Sequence, residues 1–232
     1  MFSDVEREKW KSLFFPFPSR GANMYSCNMI IELLGLSGVK IQSNNTVILL
    51  SPPSEKSEIR ASRFKADCIV LGNPNDKINV DPREEKLFIV DSTGEYETSG
   101  IFIYCISNPE KGNPTSLMSL IKIEGISIAH LACLGNDLTD NQLELFEGAD
   151  ILIIPVGGKD VLDAKRAKEI IEKIEPRIVI PMHFAQKNLK TAYDSQEKFF
   201  KEIGSNPEAQ DKAKITKKEL PQETMEVINL KI

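Results

Sequence analysis

Two histidines occur in this chain of 232 residues, and one of them, His183, closes the apolar run Arg177-Ile178-Val179-Ile180-Pro181-Met182. An imidazole in a cleft at the end of such a run can serve as a base, bind a metal, or hydrogen-bond to backbone. Cys133 is the second residue with reactive chemistry, because a thiolate is both a nucleophile and a soft metal donor. Together they could form a nucleophile-and-base pair, although the sequence supplies no third group to orient the base. A small, buried, inert thiol is the blander alternative for Cys133. His130 falls in an apolar stretch and reads as a buried histidine with its hydrogen bonds met. Gly157-Gly158 could cradle a phosphate at the N-terminus of a following helix, or supply positive φ in a tight turn. Glu95 and Glu97 flank Tyr96 like a carboxylate pair. In a turn between strands they read as structural, with Glu95 buttressing the edge of the site.

The unit that must position His183 spans residues 149–184. Two apolar runs, 151–156 and 177–182, bounded by Gly and Pro, read as strands buried on both faces. Between them, residues 160–175 carry Ala164, Ala167, Ile170, Ile171 and Ile174 at helical spacing, with Asp160 or Asp163 to cap the start. A strand–helix–strand crossover makes the strands parallel, so Gly157-Gly158 and His183 share the carboxyl edge of a sheet. Open α/β sheets place their chemistry at that edge.

The rest of the chain divides into an N-terminal extension, 1–28, and one domain, 29–232. The extension holds a short helix at 5–15 and an apolar, proline-broken stretch, Phe14-Phe15-Pro16-Phe17-Pro18, with Met24 and Met29 as alternative starts. From residue 29 the pattern is β: strands at 29–34, 39–41, 46–50, 68–71, 86–90, 101–106, 117–123 and 127–131. Asn44-Asn45, 92–95, 108–113 and 124–125 read as turns. Thr139 caps a helix to Phe146, a second helix covers 193–203, residues 205–218 are polar and expected to be mobile, and 225–230 is a last strand. Strands first and alternating helix and strand afterwards imply two stacked sheets, or a mixed sheet, with helices outside.

Composition narrows the classes. Hydrophobic residues make up 41% and charged residues 27%, an ordinary globular balance. A net charge of −5 argues against nucleic-acid binding by phosphate neutralisation. No apolar run approaches the ~20 residues of a membrane span, and the acidic N-terminus is unlike a secretory signal. Cys27, Cys68, Cys105 and Cys133 are scattered without a CxxC, which fits reduced thiols and a cytoplasmic location.

An ordered set of short motifs runs through the domain. It comprises Gly35-Leu36-Ser37, the hairpin ending at Ser51-Pro52, the strand 66–71 with its loop, and Gly94-Glu95-Tyr96-Glu97 with Gly100. Then come His130-Leu131, Leu134-Gly135, Leu138-Thr139-Asp140, Pro155-Val156-Gly157-Gly158 and Ile180-Pro181-Met182-His183-Phe184. Over about residues 29–184 this set resembles the small single-domain, zinc-dependent hydrolases of the metallo-β-lactamase superfamily. The resemblance implies an α/β (α+β) fold, a four-layer αββα sandwich, with the site at one sheet edge. It also implies zinc, which lowers the pKa of bound water to about 7.

Against that family's pattern the ligand positions are replaced. The H-x-H-x-D-H loop is matched by Asn73, Asn75, Lys77 and Ile78, with Asp76 able to help only on a shift of register. Leu36 stands for the His of the opening motif, Ser51 for the Asp that closes the hairpin, and Ala132-Cys133 for the later Gly-Asp. His183 alone survives. Asn is a weak zinc ligand, Ile78 is none, and Lys77 repels a cation. Lys77 itself would replace the metal's charge and pair with Asp76 or Glu95, or stand solvated. No metal is therefore expected. If one binds, Cys133, His183 and Asp76 are its donors, and Cys133 and His183 alone fall short of the three a catalytic zinc normally has. The expectation is a degenerate member without the usual zinc site and without hydrolase activity, acting in binding or assembly. The alternative is a divergent metal-dependent hydrolase with zinc in a site rebuilt around Cys133 and His183. Partners stay open between a small anionic ligand, a protein and a second copy of the chain. Nucleic acid and membrane are not expected. A cleft filled by Leu36, Ile78 and Phe184 would speak for a structural role.

Overall fold

The structure, a computed structural model, describes residues 28–55, 57–59, 63–108, 116–187 and 189–232. The extension expected over 1–28 lies outside the described residues except for Asn28, as do residues 109–113 of an expected turn. The strands in chain order are β1 (Met29–Leu33), β2 (Val39–Ser43), β3 (Thr46–Leu50), β4 (Phe64–Ala66), β5 (Cys68–Val70), β6 (Val80–Pro82), β7 (Phe88–Val90), β8 (Gly94–Thr98) and β9 (Ile101–Ser107). They continue as β10 (Leu117–Ile123), β11 (Ile126–His130), β12 (Ile151–Pro155), β13 (Ile178–Met182), β14 (Ala209–Gln210), β15 (Ala213–Ile215), β16 (Glu226–Val227) and β17 (Asn229–Leu230). Three α-helices are described: α1 (Asp140–Phe146), α2 (Ala164–Ile174) and α3 (Gln196–Ile203).

Two mixed sheets carry the fold: a six-stranded one, β15-β1-β2-β3-β5-β7, and a seven-stranded one, β16-β13-β12-β11-β10-β9-β8. Hairpins make the antiparallel halves. Asn44 at the β2–β3 turn takes φ 51° and Glu124 at the β10–β11 turn takes φ 53°. Crossovers make the parallel halves, β3-β5-β7 in one sheet and β11-β12-β13-β16 in the other. Burial alternates along β1 and β2, whereas every residue of β12 and β13 is buried. That is the expected contrast between strands covered on one face and on two. Ile31, Ile41 and Ile48 of the first sheet share one apolar core with Ile103, Ile128 and Ile153 of the second.

Helix α2 buries the five residues its spacing marked out, Ala164, Ala167, Ile170, Ile171 and Ile174. Asp163 rather than Asp160 caps it, accepting from the Arg166 N–H at 2.9 Å. Of the two caps the sequence offers, the second therefore sets the start of the helix at Ala164. Thr139 caps α1 in a reciprocal box with Gln142. The outer face of the first sheet is covered by a second cluster in which Phe64, Ile78, Val80 and Leu87 pack on Val47, Leu49 and Ile69. The pair β4–β6 runs across it. Among the described residues no helix is long and apolar enough to cross a membrane.

Several local expectations are corrected. Residues 205–218 are not a mobile polar stretch: β15 pairs with β1 as the edge of the first sheet, and Ala213 and Ile215 bury their side chains. Those two apolar residues, spaced by one, outweigh the polar composition around them. Residues 225–230 form two short strands in different sheets, β16 beside β13 and β17 beside β14. The helix expected from 193 starts at Gln196, after Ser195. Glu95 and Glu97 stand exposed on β8 rather than in a turn, paired with Tyr104 and Phe102 of β9. There their charge raises the Tyr104 phenol above its usual range, after burial as the larger cause.

Candidate functional site

Loops following β1, β11, β12 and β13 meet at the carboxyl edge of the parallel strands. Two backbone bonds sew them together: His183 N–H donates to the Leu36 carbonyl at 2.8 Å, and Val156 N–H to the Met182 carbonyl at 3.0 Å. Gly157 is required here. A Cβ on it would lie 2.1 Å from the His183 carbonyl oxygen, closer than any real contact. Four non-glycine residues at this edge hold left-handed backbone, Ser51 at φ 42°, Ala132 at φ 47°, Lys159 at φ 61° and His183 at φ 54°. Each costs about 1–2 kcal/mol and persists only where neighbours enforce it.

Ser37 is the centre of the side-chain network. Its Oγ lies 2.7 Å from His183 Nδ1, 3.1 Å from Cys133 Sγ and 3.4 Å from the Ala132 carbonyl. His130, on β11, donates its Nε2–H to the Ser37 carbonyl at 2.9 Å. A carbonyl only accepts, so this bond puts the His130 proton on Nε2. Both histidines thus brace one serine, His130 through the backbone and His183 through the hydroxyl. Burial pushes the pKa of each down to about 4, so both are neutral near neutral pH. For His183 the Asp160 carboxylate opposes that shift.

His183 is 5% exposed, and its Nε2 is buried with no hydrogen-bond partner. Its ring stands edge-on to Tyr193, centroids 4.8 Å apart. Tyr193 donates its hydroxyl to Asp160 at 3.4 Å, and burial, with Asp160 next, holds its phenol well above the usual range. Cys133 is half-buried and outside any disulfide, so it is not the enclosed thiol of the bland reading. Cys68 and Cys105 fit that description instead, their thiols pushed up to about 12 by burial.

The remaining expected site residues are dispersed around this network. Leu36 supplies its carbonyl to His183. Ser51 crowds Gly72, where an added Cβ would meet the Ser51 Oγ at 2.7 Å. Asn73 and Asn75 close the loop on itself: Asn73 Oδ1 accepts from the Asn75 N–H, and the Asn73 carbonyl from the Asp76 N–H, both at 3.0 Å. Lys77 is exposed, and its carbonyl accepts from Glu55 N–H. Ile78 does not fill the cleft, because it packs into the outer cluster with Phe64 and Val80. Phe184 is buried in the main core. The bond expected from His183 to backbone goes to a serine hydroxyl instead. Nor do Gly157-Gly158 cradle a helix N-terminus: α2 begins at Ala164 and Asp163 already caps it. Gly158, at φ 68°, makes the turn.

Sequence reasoning missed Ser37, Tyr193 and Asp160 as site residues. Ser37 is signalled by Gly35-Leu36-Ser37, in which it follows the position that the resemblance matches to a histidine. Tyr193 and Asp160 carry no motif and meet only through the chain's path after β12 and β13.

A zinc centre does not fit these residues. Among the described residues no group of three or more His, Cys, Asp and Glu side chains comes together closely enough to hold a metal ion. At the position that the resemblance matches to a metal ligand, His183 Nδ1 faces Ser37 and Nε2 is enclosed.

Residues 30–183 match the Beta-lactamase superfamily domain, and the chain belongs to the metallo-β-lactamase superfamily. Among curated proteins it is similar to a UPF0173 metal-dependent hydrolase of Carboxydothermus hydrogenoformans, 32% identical over 73 residues, which are 32% of this chain and 31% of that protein. It is also similar to a UPF0173 protein of Pyrococcus furiosus, 44% identical over 41 residues, 18% of this chain and 20% of that protein. The chain thus matches a third or less of the length of these two relatives. Among solved structures, a metallo-β-lactamase superfamily protein from Thermotoga maritima aligns over 87% of this chain and 98% of its own, with TM-score 0.73 and 24% identity. A metallo hydrolase from Ignicoccus hospitalis aligns over 82% and 98%, with TM-score 0.58 and 11% identity. At these identities the likeness establishes the fold: two mixed sheets with flanking helices.

Proposed function

We propose that this chain is a degenerate metallo-β-lactamase-fold protein that keeps the site's backbone but not its metal, and that it works in binding or assembly rather than hydrolysis. The observation that carries this reading is the 2.7 Å contact between Ser37 Oγ and His183 Nδ1. The histidine at the surviving ligand position is bound into a neutral hydrogen-bond network, and burial keeps it uncharged. The replaced loop supports the same reading, since Asn73 and Asn75 bond within the loop and Ile78 packs elsewhere. The cleft edge retains strained backbone at Ser51, Ala132 and His183, which favours a site kept for recognition. A cytoplasmic location belongs to the same proposal, supported by Cys68, Cys105 and Cys133 lying outside disulfides.

The test is hydrolysis. Purified protein is assayed on aryl esters, lactones and phosphodiesters, with chelator and with added zinc, beside His183→Ala. No chelator-sensitive turnover is expected. Turnover that a chelator abolishes, zinc restores and His183→Ala removes would replace this reading with a divergent metal-dependent hydrolase, as the names of the curated relatives suggest.

A further inference from the structure

Among the described residues, β8 ends the seven-stranded sheet and β15 ends the six-stranded one, and each is paired on one side only. The open side of such a strand offers N–H and C=O groups to another strand. At β8 the turn fixes which groups these are. Ser99 at φ 49° and Gly100 at φ 75° make a two-residue turn of the kind that closes on a hydrogen-bonded pair, here Thr98 with Ile101. Bonded and open pairs alternate from there, so Thr98, Tyr96 and Gly94 bond to β9 while Glu95 and Glu97 turn their backbone groups outward. Both glutamates are exposed, on the face opposite Tyr96, which packs on the core.

The β15 edge carries the opposite charge at the same spacing. Lys212 and Lys214 are exposed and alternate with Ala213 and Ile215, which belong to the core. Lys214 stands opposite Ile30 of β1, and the one carboxylate of that strand, Glu32, is already bound to Lys40 at 2.9 Å. Asp211, next along the chain, lies 3.7 Å from Lys231. Of the other two end strands, β7 carries no charge and β16 is two residues long. Charged edges commonly keep sheets from joining, but that protection works between edges of one sign. Pairing β8 with β8, or β15 with β15, sets like charges opposite each other. Pairing β8 with β15 sets opposite ones together.

Beyond the reading proposed above, and whether or not the carboxyl edge holds a metal, we infer that the chain associates head to tail with a second copy of itself, the β8 edge of one copy adding to the β15 edge of the next. In antiparallel register Glu95 falls opposite Lys214, Glu97 opposite Lys212, and Tyr96 opposite Ala213 on the core side. Opposite charges directly across a ladder stabilise it and like charges weaken it. The outward backbone groups of Glu95 and Glu97 supply the hydrogen bonds of the new ladder. Each copy uses two different edges, so the contact is heterologous and association continues past a dimer until a ring closes. Exposed ion pairs each contribute little, so the contact is modest in strength and weakens with salt.

The experiment is sedimentation velocity on the full chain over a range of concentrations, in ~20 mM and in ~1 M salt. Association that grows with concentration is expected in low salt and is lost in high salt. Two charge-reversed variants follow, Glu95→Lys with Glu97→Lys, and Lys212→Glu with Lys214→Glu. Each alone is expected to associate at least roughly tenfold more weakly. Their one-to-one mixture is expected to associate again, because every β8–β15 contact between the two variants joins opposite charges. A variant that had merely lost its fold would not be rescued by mixing. The inference is overturned if the wild-type chain sediments as a monomer at every concentration in low salt, or if its association persists or strengthens in high salt. It is equally overturned if either variant associates as strongly as the wild type. The wild-type comparison decides even where a variant does not fold, and none of these outcomes bears on the hydrolysis assay.

Discussion

Lowering pH should destabilise this protein in a window that belongs to its two histidines. His130 and His183 both have pKa values pushed down from 6.5 to about 4 by burial, and they are the only histidines in the chain. The unfolded chain then binds protons at these groups before the folded chain does. Their contribution to stability is complete above the unfolded value of 6.5 and is lost as pH falls toward 4. Shifts of that size make each histidine remove about 2 kcal/mol between about pH 7 and pH 5, and the pair roughly 4 kcal/mol. Carboxylates held below their ordinary range, such as Asp81 and Glu197, respond mainly at lower pH. The assay is urea unfolding followed by far-ultraviolet circular dichroism across that range. His130→Gln can keep a donor near the Ser37 carbonyl but does not titrate, so the pH dependence should halve whatever happens to absolute stability. A urea midpoint that does not move between pH 7 and pH 5, or a His130→Gln variant with the full dependence, would refute the reasoning.

Two further substitutions test how the site is held. Gly157→Ala forces a Cβ to within 2.1 Å of the His183 carbonyl, a clash with backbone that no rotamer relieves. It should cost about 3 kcal/mol in urea unfolding, and a loss below a few tenths would show that the loops do not cross so closely. Asp150 accepts from both the Ser127 N–H and the Ser127 hydroxyl at 2.9 Å, tying the start of β11 to that of β12. Asp150→Ala should lose about 2 kcal/mol, mostly for the unpaired Ser127 N–H, and Asp150→Asn about half of that.

The parts of the fold legible in the sequence are those whose signal is local and periodic. The β12–α2–β13 unit was readable because two apolar runs and five residues at helical spacing can hardly bury themselves otherwise. Hairpins at Asn44-Asn45 and Glu124-Gly125 were readable from turn chemistry. Strands as short as β15 and β17 were not, because their order comes from an existing sheet edge, as β1 provides for Ala213 and Ile215. The position of His183 at the sheet edge followed from strand direction alone. Its partner did not: Ser37 is 146 residues away, and only the crossing of the β1 and β13 loops brings them together. The residues at the positions that the family resemblance matches to metal ligands can be read one by one, whereas the hydrogen-bond network around them depends on how the loops cross.

The central claim is that the fold's metal site has become a metal-free network. Elemental analysis of untagged protein, purified without chelator, tests it most directly. The account predicts less than about a tenth of an equivalent of zinc, iron or manganese per chain, as expected where fewer than three protein donors converge. Close to one equivalent, lost in Cys133→Ser or His183→Ala, would contradict it and place a rebuilt metal centre at the sheet edge.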